Sequence, residues 1–336
     1  MRETQEQRVD QLLPGVDAAL QRVKSTLLRV APSKIAVLIE GESGTGKELA
    51  AHVLHSLSGR TGAFVPVNVC AVSDSMFEDA FFGHVRGAFT GAQSQVAGIL
   101  SEANNGTLFL DELSGLQVRH QLTLLRAIET GSYRAIGASG DARSDFRVLS
   151  ASNEPTTSLI ERGALRRDLM HRLGGIVIRM PPLRARRGDI ALLAAIFAGE
   201  HLHASGDHCR LVPLAVRRLE HHDWPGNVRE LRQLVSSAAI LSHTSHIALD
   251  VVNELLTVHD ESNESARRRT DRVRDLARVA AALEAAEGDA QLAGGLLGAS
   301  RATVYRRARA LGLDVGTFRP RPRVAETPPV TDTSMA

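Results

Sequence analysis

The sequence lacks the features that point to secretion, a membrane or a disulfide framework. Its 336 residues include two cysteines, Cys70 and Cys209, whose separation matches neither a zinc-binding spacing nor a disulfide-rich domain. Residues 1–7 have no apolar core of a signal peptide, and no run of about 18 apolar residues occurs. We therefore expect a cytoplasmic protein with reduced thiols and no membrane span.

Charge of one sign is also scarce. The chain carries 40 Lys and Arg against 38 Asp and Glu, a net charge of +2. This balance excludes a uniformly basic coat, although basic residues can still be concentrated locally. The length, with 43% hydrophobic and 23% charged residues, is typical of a globular protein with two or three domains.

One stretch has a specific chemical signature, the run GESGTGKE at 41–48. An apolar run precedes it and a helical segment follows it, so strand, glycine-rich loop and helix succeed one another. In that order, backbone N–H groups and the helix N-terminus can surround a phosphate, and a lysine adds positive charge. Glu48 stands where a magnesium-binding Ser or Thr is usual. A glycine-rich turn without a ligand is the alternative. The residues expected to bind a nucleoside triphosphate are Gly41, Glu42, Ser43, Gly44, Thr45, Gly46, Lys47 and Glu48.

Four further apolar runs alternate with helical segments, which predicts an α/β fold with a parallel five-stranded sheet. With the first strand at 35–39, they lie at 64–68, 107–110, 147–151 and 176–178. Ligands bind at the carboxyl ends of the strands in such sheets. Asn68, Asp111, Glu112 and Asn153 follow strands directly and are expected to converge on the phosphates.

The acidic pair suits nucleotide hydrolysis. Four apolar residues followed by two acids form a Walker B pattern, in which Asp111 holds Mg²⁺ directly or through water. Glu112 would polarise the attacking water as a general base. Asn153 could orient that water or sense the γ-phosphate, and the alternative is an amide that caps a turn.

Between these strands lies an unusual segment, GAFTGA at 87–92. An aromatic residue and a threonine between Gly–Ala pairs predict a flexible loop with an apolar tip, or else a turn with Phe89 in the core. The segment resembles the signature of bacterial enhancer-binding proteins, the NtrC-like AAA+ activators of sigma-54 RNA polymerase. The resemblance extends from about residue 12 to residue 257. That family also has Glu at the position of Glu48, so ATP with Mg²⁺ is the implied cofactor.

The resemblance implies roles for single residues. Asn68 matches the residue that restrains the catalytic glutamate, Asn153 matches sensor I and Arg229 matches sensor II, which contacts the nucleotide. Arg166 and Arg172 fall on paired arginine fingers that reach a neighbouring subunit's γ-phosphate. A solvated helix face is the alternative for these two arginines.

The resemblance also implies an assembly and a target: a ring of subunits, expected to be a hexamer, that engages the sigma factor. Two positions depart from the family pattern. Ala80 stands where an acid is common, and Val85 where a charged residue is usual, so we expect altered coupling between nucleotide and loop. The residues implied to contact the sigma factor are Gly87, Ala88, Phe89, Thr90, Gly91 and Ala92.

The C-terminal part is expected to bind DNA. Helical patterns at 273–287, 291–297 and 301–309, with Ser300 as a cap and a basic last helix, predict a helix-turn-helix. It resembles the Fis-type domain, and the alternative is a three-helix dimerisation bundle. Gly294 and Gly295 are expected to weaken the second helix. The residues expected to bind DNA are Ser300, Arg301, Ala302, Thr303, Tyr305, Arg306 and Arg307.

We interpret the chain as a sigma-54-dependent activator that binds enhancer DNA and remodels the closed complex of the polymerase holoenzyme into an open one. No regulatory domain fits before residue 35, so we expect control by a separate regulatory protein, a related activator subunit or expression level. The alternatives are a co-activator or DNA-binding regulator with weak ATPase, and a non-transcriptional AAA+ remodeller. The expected divisions are 1–186 (ATPase α/β subdomain), 187–257 (helical lid), 258–272 (linker), 273–316 (helix-turn-helix) and 317–336 (disordered tail).

Overall fold

A computed structural model describes residues 2–203 and 206–318 of the chain. Most of the tail that we predict to be disordered, from residue 319 onward, lies outside the described residues. The strands are β1 (Val37–Glu40), β2 (Phe64–Asn68), β3 (Gly83–His84), β4 (Val96–Ala97), β5 (Thr107–Asp111), β6 (Ser132–Tyr133), β7 (Ala142–Arg143), β8 (Arg147–Ser152), β9 (Ile176–Arg179), β10 (Arg210–Leu211) and β11 (His246–Ile247).

The α-helices alternate with these strands in the first half of the chain and dominate the second. They are α1 (Arg2–Leu12), α2 (Ala18–Val30), α3 (Lys47–Ser56), α4 (Phe77–Phe82), α5 (Ile99–Glu102), α6 (Val118–Thr130), α7 (Thr156–Glu161), α8 (Arg167–Leu173), α9 (Ile190–Gly199), α10 (Pro213–Glu220), α11 (Asn227–Leu241), α12 (Leu249–Ala285), α13 (Ala290–Leu297) and α14 (Arg301–Leu311).

The central sheet is parallel and has the strand order β2-β5-β8-β1-β9. The predicted five-stranded parallel sheet is therefore confirmed. Strands β1 and β8 are buried along their whole length, as expected where helices cover both faces. Residues at the carboxyl ends are polar, and Asn68 lies opposite Asp111 on the neighbouring strand. The edge where these ends meet is the site expected to bind a ligand.

The N-terminal segment packs onto this sheet as two helices, α1 and α2. Val9 and Leu13 share a buried cluster with the sheet residues Val37 and Ile39. The break falls at Pro14 and Gly15, and the Asp17 carboxylate then caps α2 by accepting from the Ala19 N–H at 2.9 Å. Proline disfavours helical backbone angles in the residue before it, which explains why α1 ends here.

The lid is helical, as predicted, and has a core of its own. Helices α9, α10 and α11 bury a cluster that contains the only tryptophan, Trp224. The indole N–H of Trp224 donates to the Leu219 carbonyl at 2.9 Å, so its one polar group is paired inside the core. A short parallel pair, β10 with β11, joins the segment before α10 to the segment after α11.

Residues 258–272, which we predict to be a linker, are helical in the structure. They lie within α12, a single helix of 37 residues. No proline or glycine occurs from Leu249 to Ala285, and the glutamates and arginines there are good helix formers. A scarcity of apolar residues therefore does not by itself indicate a loop.

Contact density divides the chain after Leu256 into two units, and the second contains its own small core. Its last two helices begin at the expected places. Asp289 accepts from the Gln291 N–H at 2.7 Å, and Ser300 Oγ accepts from the Thr303 N–H at 3.3 Å. The predicted cap of the basic helix is thus confirmed.

Candidate nucleotide site

The phosphate loop joins β1 to α3 in the expected manner. Its glycines take backbone angles that disfavour other residues: φ is +77° at Gly44 and +100° at Gly46. Gly44 also lies so close to the lid that an added Cβ would stand 2.3 Å from the Gly226 carbonyl oxygen. Gly46 directly precedes α3, so the N–H groups of the first helical turn face the loop. The loop has the conformation of an anion-binding cradle.

Lys47 is buried and its ammonium group is fully engaged. Nζ donates to the carbonyls of Gly41 at 2.8 Å and Glu42 at 3.1 Å, and to Asn153 Oδ1 at 2.5 Å. Burial lowers the pKa of Lys47, while the neighbouring Asp111 carboxylate opposes that shift. The positive charge is therefore fixed at the mouth of the loop, where phosphate oxygens would meet it.

The acidic pair follows β5 as predicted. Asp111 Oδ1 accepts from the Glu112 N–H at 2.9 Å, and burial raises the pKa of Asp111. Glu112 has φ +60° and ψ +54°, a left-handed conformation that costs about 1–3 kcal/mol at a non-glycine residue. The turn brings Glu112 Oε1 to 3.3 Å from Asn153 Nδ2, which donates to it. Strain at this residue places its carboxylate in the site.

Asn153 connects the cation to the candidate base. Its amide oxygen accepts from Lys47 and its amide nitrogen donates to Glu112, so one side chain orients both groups. Asn68, in contrast, directs its Oδ1 to the Cys70 N–H at 2.9 Å. Asn68 lies at the expected strand end, but the amide on the Glu112 carboxylate is that of Asn153.

The lid contacts the phosphate loop through several residues of α11. Arg229, for which the resemblance implies a sensor II role, donates from Nη1 to Ser43 Oγ at 2.9 Å. Asn227 Nδ2 donates to the Ser43 carbonyl at 3.0 Å, and the Val228 N–H to the Gly44 carbonyl at 3.0 Å. The lid is thereby bonded to the loop backbone.

Residues that sequence reasoning did not single out reinforce this junction. Arg184 forms a two-point ion pair with Glu42, at 2.5 and 2.8 Å, and this pair lowers the pKa of Glu42. The buried Arg186 donates from Nη2 to the Thr45 carbonyl at 2.8 Å. Asn227 also contacts Glu42, at 3.2 Å. The sequence signal for this junction was the pair Arg184 and Arg186 shortly after Pro181 and Pro182. The sequence alone could not identify their partners, which lie about 140 positions earlier in the chain.

A cavity of about 500 Å³ lies over the loop. Its polar side includes Lys47, Asp111 and Glu112, and its apolar side includes Leu13 and Phe197. A mixed lining of this kind suits a ligand with a charged end and a flat apolar end. A larger cavity of about 920 Å³ borders β9 and α2, but it excludes the lysine and both acids. We place the candidate site in the smaller cavity because the charged groups converge there.

The predicted arginine fingers lie apart from this cavity. Arg166 precedes α8 and makes an ion pair with Asp168 at 2.7 Å. Arg172 donates to the Ile128 carbonyl at 3.2 Å. Neither guanidinium lines the cavity of its own chain. If these arginines serve a nucleotide, it is not the one bound by the same subunit.

The GAFTGA segment projects as a loop between β3 and β4, which pair as an antiparallel hairpin base. Phe89 is 46% exposed, and Thr90 at the tip is exposed. Gly87 and Gly91 have positive φ and open space around them, whereas Ala92 is buried at the base. The predicted apolar tip is therefore confirmed, and the alternative with Phe89 in the core is wrong.

The last helix presents a basic face. Arg306 and Arg307 are exposed on α14, while Val304 is buried in the core of the second unit. The guanidinium of Arg301 lies 5.8 Å from the centre of the Tyr305 ring. Ala302 is also exposed, and Thr303, partly buried, bonds the capping serine. The residues expected to meet DNA, other than the cap, thus lie within the first seven positions of this helix and outside its buried stripe, which contains Val304 and Ala308.

These features define a P-loop nucleotide-binding protein with an α/β domain and a helical lid. Within the described residues, every helix is too short or too polar to cross a membrane. Comparison with known proteins agrees with the fold. Residues 13–179 match the family model "Sigma-54 interaction domain", and residues 184–269 match "AAA+ ATPase lid domain".

The chain is 34% identical over 339 residues to the DNA-binding transcriptional regulator NtrC of Rhizobium meliloti, covering 90% of this chain and 70% of that one. It is 37% identical over 311 residues to the Nif-specific regulatory protein of Azotobacter vinelandii, covering 90% and 59%. A crystal structure of NtrX from Brucella abortus in complex with ATP aligns with a TM-score of 0.65 at 28% identity, covering 90% and 69%. The chain belongs to the family of sigma-54-dependent AAA+ transcriptional activators.

The relatives are mostly longer than this chain. Across eight curated relatives, the chain spans 39–70% of the relative's own length. The two family models cover the ATPase region with its lid, which is the part whose residues form the candidate site.

Proposed function

We propose that this chain is a ring-forming ATPase that activates transcription by sigma-54 RNA polymerase. The observation that carries the proposal is the chain of hydrogen bonds from Lys47 through Asn153 to Glu112 at the end of the sheet. These bonds hold the ammonium group of Lys47, which would bind phosphate, and the carboxylate of Glu112, which would activate water, in one cavity. Arg229 closes the site from the lid.

Each residue then has a chemical role in ATP hydrolysis. The loop N–H groups and Lys47 bind the β- and γ-phosphates, and Arg229 reaches the phosphates from the other side. Glu112 takes a proton from the attacking water, and Asn153 keeps the carboxylate and the lysine in register. By the resemblance Asn68, on the adjacent strand, would restrain Glu112, and its Oδ1 accepts from the Cys70 N–H here.

The residues present fit Mg²⁺, which takes one or two carboxylates and completes its shell with phosphate oxygens and water. Among the described residues, no group of three or more His, Cys, Asp or Glu could hold a metal by itself. Asp111 lines the same cavity as Lys47 and would supply the carboxylate. When bound, Mg²⁺ neutralises charge that develops on the β- and γ-phosphate oxygens.

A shared site between subunits supports the ring. Arg166 and Arg172 are conventional finger positions by resemblance, and both lie outside the cavity of their own chain. In a head-to-tail ring each subunit would offer them to its neighbour's γ-phosphate, where they would stabilise charge in the transition state. The hexamer is the proposed closed form of this ring.

The loop and the basic helix provide the output. Phe89 and Thr90, exposed at the loop tip, would engage the sigma factor, and hydrolysis would move the loop and remodel the closed promoter complex. Helix α14 would enter the major groove of enhancer DNA, with Arg306 and Arg307 on phosphates. Attachment to DNA near the promoter would raise the effective concentration of the ring.

Complementation tests the shared site. Lys47→Ala and Arg166→Ala should each abolish ATP turnover. A one-to-one mixture should regain roughly a quarter of wild-type turnover, since random assembly pairs an intact lysine with an intact neighbouring arginine at that frequency. Turnover per subunit of the wild type should also rise steeply with protein concentration. A mixture as inactive as its components, or a turnover that is independent of concentration, would contradict the proposal.

A further inference from the structure

The ring of Phe89 is held by a histidine that is itself held by an acid. His84 Nδ1 lies 2.6 Å from Asp79 Oδ1 and donates to that carboxylate. The same imidazole meets the Phe89 ring at a centroid distance of 4.9 Å and an angle of 63°, an edge-to-face contact. The His84 side chain is only 9% exposed, whereas Phe89 is nearly half exposed. The buried imidazole of His84 thus supports the exposed ring of Phe89.

The backbone around His84 leaves little freedom for this arrangement. Gly83, with φ +72°, donates its N–H to the Asp79 carbonyl and reverses the chain, which returns residue 84 to residue 79. A Cβ at Gly83 would stand 2.3 Å from the Val96 carbonyl oxygen. The adjacent hairpin segment is bonded on the other side, since the Ile136 N–H donates to the Gly83 carbonyl at 2.8 Å. The backbone directly before His84 is therefore fixed by three contacts of Gly83.

The packing of helix α4 explains why the carboxylate of Asp79 can reach His84. Phe77 and Phe81 are buried in the core of the α/β domain, which fixes the rotation of this short helix. Ala80 packs against the same core, so an acid at that position would face apolar neighbours. Asp79 is turned toward His84 instead. The acid that the family carries at position 80 is absent, but a carboxylate one residue earlier reaches the base of the loop.

We propose that Asp79 and His84 are positioning residues that hold Phe89 in the orientation in which the loop tip engages the sigma factor. The inference rests on the proposed function. Phe89 has open solvent on its exposed side, so a contact at its inner edge restricts its rotamers. A pre-oriented aromatic loses less conformational entropy on binding than a free one.

The test combines a binding measurement with one that does not involve the partner. Full-length protein is compared as wild type, Asp79→Ala and Asp79→Asn, each with and without Phe89→Trp as a reporter. Binding to purified sigma-54 is measured in the presence of ADP and aluminium fluoride. Acrylamide quenching measures exposure of the reporter, against a constant background from the buried Trp224. ATP turnover shows whether the ATPase remains intact.

Asp79→Ala should weaken sigma-54 binding by up to about tenfold, because the Phe89 side chain must then be ordered when the complex forms. It should also raise quenching of the reporter and leave ATP turnover within about twofold of wild type. Asp79→Asn should stay close to wild type because the amide oxygen still accepts from His84. Asp74→Ala is the matched control, since Asp74 pairs with His120 at 2.6 Å and also with Arg119, and neither contact involves the loop tip.

The outcomes separate the two proposals. Unchanged quenching in Asp79→Ala, or an equal effect of Asp74→Ala on quenching, would overturn the positioning role. Failure of the wild type to bind sigma-54 would overturn the proposed function, while the quenching measurement would still decide whether the acid and the histidine fix Phe89. Loss of ATP turnover in Asp79→Ala would indicate damage to the domain and would also count against the inference.

Discussion

The ammonium group of Lys47 lies 2.5 Å from the amide oxygen of Asn153, 106 positions further along the chain. The bond joins the phosphate loop after β1 to the end of the adjacent strand β8. Because the amide nitrogen of Asn153 donates to Glu112, the lysine proposed to bind phosphate and the carboxylate proposed to activate water are linked through one side chain. This relationship determines how the site is expected to respond to substitution.

Asn153→Ala should lower ATP turnover much more than ATP binding. The substitution removes the group that orients Glu112, whereas Lys47 loses one bond and keeps those to the Gly41 and Glu42 carbonyls. We expect kcat to fall roughly 10²-fold, the lower end of what a positioned proton-transfer group contributes, with Kd for ATP within about threefold. Steady-state turnover and equilibrium titration with a fluorescent ATP analogue measure the two quantities. A parallel loss of affinity would show that the amide serves mainly to bind nucleotide.

Arg184→Ala should weaken nucleotide binding by loosening the lid. The two-point pair with Glu42 joins lid and loop, but it is partly exposed, so we expect a rise in Kd of about two- to fivefold. Arg187→Ala is the matched control because Arg187 pairs with Asp223 inside the lid, at 2.8 Å. That variant should bind as wild type does. Equal effects of the two substitutions would remove any special role of the pair with Glu42.

The two neighbouring glycines of α13 should respond oppositely to alanine. A Cβ at Gly294 would stand 2.5 Å from the Ala299 carbonyl oxygen, whereas the space around Gly295 is open. Gly295→Ala should therefore stabilise the helix by about 1 kcal/mol, and Gly294→Ala should destabilise it. Hydrogen exchange of the α13 amides in the full chain measures both. Stabilisation by both substitutions would show that the close approach at Gly294 is unimportant.

This pair of glycines shows where sequence reasoning fell short. The pattern alone treats both as weaknesses of a helix, but Gly294 is required by a tight turn whose partner becomes visible only in three dimensions. The five sheet strands could be predicted because buried parallel strands are continuous apolar runs, bounded by polar residues at their carboxyl ends. Helices α13 and α14 were predictable because Ser300 and Gly298 mark their ends.

Other features could not be predicted because their signals are short or nonlocal. Each two-residue strand, such as β3, is too brief to show a period. The bonds from Asn227 and Arg184 to Glu42 join positions about 140 to 185 apart, which no local pattern specifies. The helical conformation of 258–272 was not predicted, because a charged stretch with few apolar residues was interpreted only as a linker, although the absence of proline and glycine favours a helix.

A buried arginine should prove important for stability. Arg147, only 2% exposed, donates to the carbonyls of Val30 and Ala31 at the C-terminal end of α2, at 3.2 and 2.7 Å, and to the carbonyl of Ile35 before β1, at 3.1 Å. Burial lowers the pKa of Arg147 to about 10, so the guanidinium stays charged at neutral pH. Arg147→Met should lower the free energy of unfolding by about 1–3 kcal/mol, because these carbonyls lose their donors.

Chemical denaturation with and without the substitution measures that change. Arg143→Met is the control, since Arg143 is exposed on β7 and should contribute less than about 0.5 kcal/mol. An Arg147→Met variant as stable as wild type would show that apolar burial compensates for the lost bonds.

The central claim is that ATP hydrolysis acts on sigma-54 polymerase through the loop that carries Phe89 and Thr90. The most direct test is open-complex formation by sigma-54 holoenzyme on a supercoiled plasmid with a sigma-54 promoter. Unpaired thymines are detected with permanganate, and ATP turnover is recorded in the same samples. We expect the wild type to form open complexes with ATP and none with ADP. Thr90→Ala should lose open complexes while it keeps ATP turnover. Brisk ATP turnover without open complexes in the wild type, or an undiminished yield of open complexes with Thr90→Ala, would contradict the proposed role of the loop.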